Sequence, residues 1–104
     1  GLDGADDLCN DVIWDQSRGR LYVIATMTDG GDRDMCVIAL DENGAVDTSF
    51  DDDGMFIHDG AAGGIGVDDS GTEGVLLSNG TLLVTGHSMT QNGDKDVVLW
   101  VVSP

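Results

Sequence analysis

The sequence has very little positive charge. Only four of its 104 residues are Lys or Arg, against twenty Asp or Glu, so the formal net charge is −16. Binding to nucleic acid requires clustered basic residues that neutralise phosphates, and binding to an anionic membrane surface requires the same. The composition therefore argues against both classes of partner. The four basic residues are Arg18, Arg20, Arg33 and Lys95.

Long apolar runs and cysteines are also scarce. No stretch approaches the roughly 20 apolar residues of a membrane-spanning helix, so we expect no membrane insertion. Cys9 and Cys36 are the only cysteines, which is too few for a four-cysteine zinc site but enough for one disulfide. The acidic, lysine-poor composition favours an extracellular or cell-surface protein, where disulfides persist, so we expect Cys9 and Cys36 to be bonded. The alternative is a pair of buried, reduced thiols.

Proline is almost absent, with one residue, whereas sixteen glycines accompany eighteen aspartates. Asp and Gly favour turns and disfavour helix interiors. Apolar and β-branched runs bounded by Asp, Asn or Gly indicate about seven strands and no helix, so the predicted fold class is all-β. The predicted strands are 11–16, 20–26, 35–40, 55–58, 74–77, 81–86 and 97–102.

The chain contains an internal repeat. At an offset of 62, residues 32–40 align with 94–102, matching in charge at three positions and in apolar character at the next six. Residues 19–23 align with 80–84 at an offset of 61, because the second hairpin turn is one residue shorter. Hairpin loops tolerate such a change. The predicted organisation is one domain, 1–104, with repeats at about 6–59 and 68–104 joined by a Gly-rich loop at 60–67.

Residues 43–54, Asn-Gly-Ala-Val-Asp-Thr-Ser-Phe-Asp-Asp-Asp-Gly, resemble the signature of the delta-60 repeat family. In that family the signature follows a strand that begins with Asp, as at Asp34, and before it a hairpin like residues 18–25. The sequence departs from the family at Asp51 and Asp52, where Gly is more usual. The resemblance implies blades of a β-propeller, usually in bacterial extracellular or cell-surface proteins, and it transfers no catalytic residue.

Two arrangements of the strands remain open. The repeat favours two propeller-like blades of antiparallel strands, the second one strand shorter, and the alternative is a seven-strand β-sandwich. Two blades cannot close a ring of the roughly four to eight that propellers use. Because Gly1–Asp3 resembles Ala45–Asp47, a segment that the second unit lacks, we expect the N-terminal segment of one copy to complete the last unit of another. The expected partner is therefore another copy of this chain.

Acidic residues cluster where the second and third strands of each unit are joined. Closely spaced carboxylates on a Gly-containing loop are the hard oxygen ligands that Ca²⁺ prefers. No EF-hand loop and no calcium-binding nonapeptide is present, and a solvated acidic surface is the alternative. The sequence requires no cofactor, and Ca²⁺ is the ion it could hold. The candidate ligands are Asp29, Asp32, Asp34, Asp94 and Asp96.

No motif predicts catalysis. Residues 46–49, Val-Asp-Thr-Ser, resemble the active-site turn of aspartic proteases, but they lie within the longer repeat signature. Residues 86–90 lack the final Gly of a nucleophile elbow, and the chain has no room for the α/β sheet that this motif needs. The remaining single residues are expected to be structural: His58 and His87 as isolated surface histidines, Trp14 and Trp100 in the core.

The sequence favours a non-enzymatic function. A secreted or cell-surface structural protein that self-assembles is the first prediction, because exposed sheet faces and edges need covering by other copies. The alternative is a lectin-like binding module whose two-blade subunits close into a ring and bind carbohydrate. It ranks second because carbohydrate sites use aromatic platforms and only 5% of the residues are aromatic. An enzyme is the least favoured class.

Overall fold

The computed structural model describes residues 7–29, 32–58, 68–90 and 92–103. These residues form seven antiparallel β-strands in two sheets and no helix, which confirms the all-β prediction. Accordingly, no helix of the described segments could cross a membrane. Sheet A has the strand order β1-β2-β3-β4, and sheet B has the order β5-β6-β7. The strands are β1 (Asp7–Asp15), β2 (Arg20–Asp29), β3 (Asp32–Leu40), β4 (Met55–His58), β5 (Asp69–Leu76), β6 (Leu82–Met89) and β7 (Lys95–Val102).

Each of the seven predicted strands is present, and several extend further into polar sequence. β1 begins at Asp7 rather than Asp11 because Asp7 pairs with Met27 on the neighbouring strand. β5 begins at Asp69 rather than Gly74, since Asp69 pairs with Ser88. Polar residues at strand ends carry no apolar signal, and their backbone groups are held by the ladder of the adjacent strand.

A β-bulge interrupts the first strand pair of each sheet at the equivalent position. In sheet A, the register shifts between Cys9 and Asp11, so Asn10 is the extra residue. In sheet B, it shifts between Gly71 and Glu73. The extra residues, 10 and 72, are 62 positions apart, which is the offset of the sequence repeat. The two units therefore share a detail of backbone geometry and not only a pattern of residue types.

The hydrophobic core lies between the sheets. One face of sheet A packs on one face of sheet B, and we call these the inner faces. Propeller-like blades and a sandwich are both compatible with this face-to-face packing. The core residues from sheet A are Tyr22, Ile24, Met35, Val37 and Ala39; those from sheet B are Leu82, Val84, Trp100 and Val102; Phe50 joins them from a loop.

The loop between β3 and β4 closes one end of this core. Phe50 is fully buried and packs edge-on against Tyr22, with the ring centroids 5.6 Å apart. The buried guanidinium of Arg20 lies 5.6 Å from the Phe50 ring centroid and donates to Asp47 Oδ2 (2.9 Å) and Ser49 Oγ (2.9 Å). The Asp-Thr-Ser-Phe segment thus inserts an aromatic ring and supplies the acceptors for a buried cation.

The predicted disulfide is wrong. Cys9 and Cys36 are both free, the first exposed and the second buried. Both pair with Ala25 of β2, from opposite sides. Two interstrand spacings, about 10 Å, therefore separate them, whereas the Cα atoms of a disulfide lie within about 7 Å of each other. The number of residues between two cysteines does not reveal that a strand lies between them.

Candidate interaction surface

The face of sheet A that points away from sheet B is apolar. Side chains alternate along each strand, so the residues between the core positions form an outer face. Val12 and Trp14 on β1 are 49% and 48% exposed there, and Ile57 on β4 is 51% exposed. We call this surface outer face A. Its members are Cys9, Val12, Trp14, Leu21, Val23, Ala25, Cys36, Ile38, Leu40, Met55 and Ile57, of which Ala25 and Cys36 are themselves buried.

The opposite end of the molecule carries a second apolar face. On β7, Val97, Leu99 and Val101 are 91%, 55% and 65% exposed, and Val75 on β5 is 57% exposed. Contiguous apolar surface of this kind marks an interaction site, whereas single exposed apolar residues are ordinary. We call this surface outer face B. Its members are Glu73, Val75, Leu83, Thr85, His87, Val97, Leu99 and Val101.

Among the described residues, acids on the outer sides of the two sheets are concentrated at the hairpin end of sheet A. On the same side of sheet A as outer face A, Asp7 and Asp34 pair with Met27 and continue the strands beyond Cys9, Ala25 and Cys36. Glu73 is the one acid among the residues of outer face B. The apolar parts of the two faces are therefore candidates for burial against protein.

A cleft lies between the first hairpin turns of the two sheets. It has a volume of about 600 Å³ and is lined by the half-exposed Trp14 at its edge and by polar residues from both turns. Arg18 is fixed at its wall because the guanidinium donates to Asp15 Oδ2 (3.0 Å). The polar lining residues include Gln16, Ser17, Ser78 and Asn79.

The candidate calcium ligands lie on two hairpins in different sheets. Asp29 and Asp32 pair with each other at the end of the β2–β3 hairpin, and Asp34 nearby is buried. Asp94 and Asp96 are exposed at the start of β7. Among the described residues, no group of three or more acidic, His or Cys side chains is arranged to hold a metal ion. Calcium binding stays a prediction.

The histidines and tryptophans differ from the expectation in two places. His58 is half-buried rather than isolated at the surface, and its Nδ1 accepts a hydrogen bond from Trp100 Nε1 (2.6 Å) across the sheets. Trp100 is buried as predicted, but Trp14 is about half-exposed because it points away from sheet B. His87 is half-buried on β6.

Asp47, the acid of the protease-like turn, is engaged as a structural anion. Hydrogen bonds from Ser49 and from Arg20 lower the pKa of its carboxyl to about 2. A carboxylate held ionised by a cation differs from the proton-sharing pair of an aspartic protease. Cys36 is equally unsuited to nucleophilic chemistry, because burial raises the pKa of its thiol to about 12. The role of Arg20 as partner of Asp47 was not foreseen from the sequence, in which the two residues are 27 positions apart.

Two predictions fall outside the described residues. They are the completion of another copy by Gly1–Asp3 and the Gly-rich loop at 60–67.

No protein-family model matches the chain, and neither the curated proteins nor the solved structures contain a match.

Proposed function

We propose that this chain is a non-enzymatic structural protein that assembles with copies of itself outside the cell or on its surface. The observation that carries the proposal is the pair of outward sheet faces with exposed apolar side chains, Val12, Trp14 and Ile57 on one and Val75, Val97, Leu99 and Val101 on the other, in a chain with a net charge of −16. Burying such faces between copies removes apolar area from water, while the charged loops stay solvated.

The extracellular or cell-surface location rests on different support. The composition is strongly acidic with one lysine, and residues 43–54 resemble the signature of a family found mainly in bacterial extracellular proteins. Immunodetection on intact, unpermeabilised source cells and in their medium tests this part of the proposal. Signal confined to lysed cells would contradict it.

Sedimentation velocity of the purified chain tests the assembly. The measurement spans micromolar to millimolar protein at about 0.15 M salt, where repulsion between the acidic copies is screened. We expect a sedimentation coefficient that rises with concentration. A monomer over the whole range would contradict self-assembly. Electron microscopy of the same samples distinguishes long polymers from closed rings.

Binding of carbohydrate is a second candidate function, favoured by the cleft between the hairpin turns. The half-exposed Trp14 ring offers a stacking surface, and Arg18, Ser78 and Asn79 offer polar groups beside it. A concave site with an apolar platform and a few polar groups suits a sugar ring.

A glycan array followed by calorimetry tests this candidate. We expect Trp14→Ala to abolish any binding that the wild type shows, because it removes the platform. Val97→Ala, at a more exposed apolar position on the other sheet, is the matched control and should leave binding unchanged. Equal loss in both variants, or no binding by the wild type, would contradict a carbohydrate site in the cleft.

A further inference from the structure

The two outer faces are related to the inner faces by the internal repeat. At the offset of 62, Val97, Leu99 and Val101 of β7 align with Met35, Val37 and Ala39 of β3. The β3 residues are fully buried on the inner face of sheet A, whereas their β7 counterparts are exposed on outer face B. Outer face B is therefore the repeat equivalent of the inner face of sheet A.

The converse relation holds for outer face A. At the same offset, Ile38 and Leu40 on outer face A align with Trp100 and Val102, which are buried on the inner face of sheet B. At the offset of 61, Val23 aligns with Val84, which is also buried. The equivalent bulges at residues 10 and 72 place the first strands in the same alignment. By the repeat, the two outer faces thus correspond to the two inner faces that already pack against each other within the chain.

The internal interface relies on two glycines of β5. A Cβ at Gly71 would lie 2.9 Å from Met35 Cγ and 3.1 Å from Ile24 Cγ2. A Cβ at Gly74 would overlap Ile13 Cδ1. The backbone of β5 therefore lies directly against large side chains of sheet A, and a larger residue at either position would require those side chains to shift.

The repeat equivalents of the two glycines are larger residues, whereas the repeat equivalents of the side chains that they contact are smaller. Gly71 and Gly74 correspond to the larger Cys9 and Val12 of β1. Their large contacts, Ile13, Ile24 and Met35, correspond to the smaller Val75, Thr85 and Val97 of sheet B. Added volume on one outer face is thus matched by removed volume on the other, as close packing across a shared interface requires. Two faces that were each simply solvated would have no reason to compensate.

A polar contact follows the same relation. Asp11 Oδ2 accepts a hydrogen bond from the backbone N–H of Gly74 (3.0 Å), joining the two sheets. The repeat equivalent of Asp11 is Glu73, the one acid on outer face B. A carboxylate therefore occupies equivalent positions on the inner face of sheet A, as Asp11, and on outer face B, as Glu73.

We propose that outer face B of one copy packs against outer face A of a second copy, repeating the contact between sheets A and B within each chain. This inference rests on the proposed self-assembly and specifies its geometry as head-to-tail. Such a contact joins two different surfaces, so it extends into a filament or closes into a ring according to the rotation per step. A propeller-like ring of about four to eight sheets would hold two to four copies.

Two double variants test the geometry. Val12→Lys with Ile57→Lys places charges on outer face A, and Leu99→Lys with Val101→Lys places them on outer face B. All four positions are at least 49% exposed, so the fold should tolerate the changes. Lysine is chosen because it reduces the net charge of −16, so that lost association cannot be assigned to stronger overall repulsion.

The matched control is Asn43→Lys with Asn92→Lys, which adds the same charge at exposed turn residues outside both faces and the cleft. Circular dichroism and melting curves establish that each variant is folded. If a lysine pair lowers the melting temperature, threonine at the same two positions provides a milder second variant.

In the head-to-tail arrangement neither face variant associates with itself. Each contact needs an intact outer face A on one molecule and an intact outer face B on the other, and each variant has lost one of the two. We expect self-association to weaken by roughly 100-fold or more in each, with the control unchanged. An equimolar mixture should form a heterodimer, since each variant retains the face that the other lacks.

The remaining outcomes overturn the proposal in distinguishable ways. Continued self-association of either face variant would show a contact between like faces, which refutes the head-to-tail geometry and leaves self-assembly standing. Failure of the mixture to form a heterodimer would do the same. A wild type that stays monomeric would refute both the head-to-tail geometry and the proposed self-assembly.

Discussion

At the scale of single residues, Arg20 shows how the Asp-Thr-Ser-Phe segment stabilises the fold. Its guanidinium is buried, and it donates to Asp47, Ser49 and the hydroxyl of Tyr22. A buried cation is tolerated when its donors are satisfied and an anion lies beside it. The Asp and Ser of this segment therefore have a structural role in this chain.

Asp47→Asn should lower the melting temperature by several degrees at neutral pH, because it leaves buried Arg20 without an ionised partner. The pKa of Asp47 in the folded chain, about 2, is below its ordinary value of 3.8. Its contribution is therefore complete above pH 4 and is lost as the pH falls towards 2. We expect the difference from the wild type to shrink over that range in melting curves. Asp94→Asn removes the same charge from an exposed site and should show no such convergence.

Asp51 and Asp52 adopt left-handed backbone conformations, with φ values of 48° and 66°. At these two positions residues 43–54 have Asp where the signature they resemble more often has Gly. Glycine adopts this region without the steric cost that a Cβ imposes. The departure in sequence therefore carries a backbone penalty in this loop.

Asp52→Gly should raise the free energy of unfolding by about 0.5–1 kcal/mol, measured by urea denaturation. Asp53→Gly is the matched control. Its φ is not in the left-handed region, and its Oδ1 accepts the Met55 N–H (2.9 Å), so this variant should be destabilised. Equal changes in both variants would show that loss of charge, and not backbone conformation, sets the effect.

At the scale of strands, sheet B depends on a close approach between β5 and β6. Gly86 pairs with Gly71, and a Cβ at Gly86 would overlap the carbonyl oxygen of Ser70 and lie 2.9 Å from Trp100 Cζ3. Neither neighbour can move without disturbing the ladder or the core. Close packing, and not a turn, therefore accounts for the glycine at position 86.

Gly86→Ala should lower the free energy of unfolding by about 2–3 kcal/mol in chemical denaturation, because the added methyl group has no space. Ser78→Ala, at an exposed turn position of the same sheet, removes atoms from solvent and should change stability by less than about 0.5 kcal/mol. A Gly86→Ala variant as stable as the Ser78→Ala control would contradict the close packing of β5 on β6.

At the scale of the whole molecule, the net charge of −16 opposes both folding and association. The candidate calcium ligands lie on separate hairpins, with Asp34 buried and Asp94 and Asp96 exposed. We therefore expect salt to act on this chain mainly by screening its overall charge.

We expect NaCl and CaCl₂ at equal ionic strength to raise the melting temperature equally above that in chelator. A calcium-specific rise that Asp34→Asn and Asp96→Asn abolish would contradict this and would place ions on the hairpins. At about a hundredfold excess over the dissociation constant, each site would then add about 2.7 kcal/mol of stability.

The amino-acid sequence by itself determined the fold class, the strands and the repeat. These features depend on local pattern: apolar runs of strand length, Gly-bearing turns such as those ending at Gly19 and Gly80, and self-similarity at offsets of 61 and 62. The left-handed φ values of Gly19 and Gly80, 62° and 90°, agree with turns placed by glycine.

Only the tertiary structure decided which pairs of residues meet. The separation of Cys9 from Cys36 by β2, and the partnership of Arg20 with Asp47, depend on how strands lie beside one another and not on distance along the chain. Most decisive is the choice of inner face. Strands such as β3 are apolar on both sides, so alternation defines two faces without saying which one packs on the other sheet. Contact between the sheets made one face of each the core, and it left their repeat equivalents on the outer faces, exposed on β7 and partly exposed on sheet A.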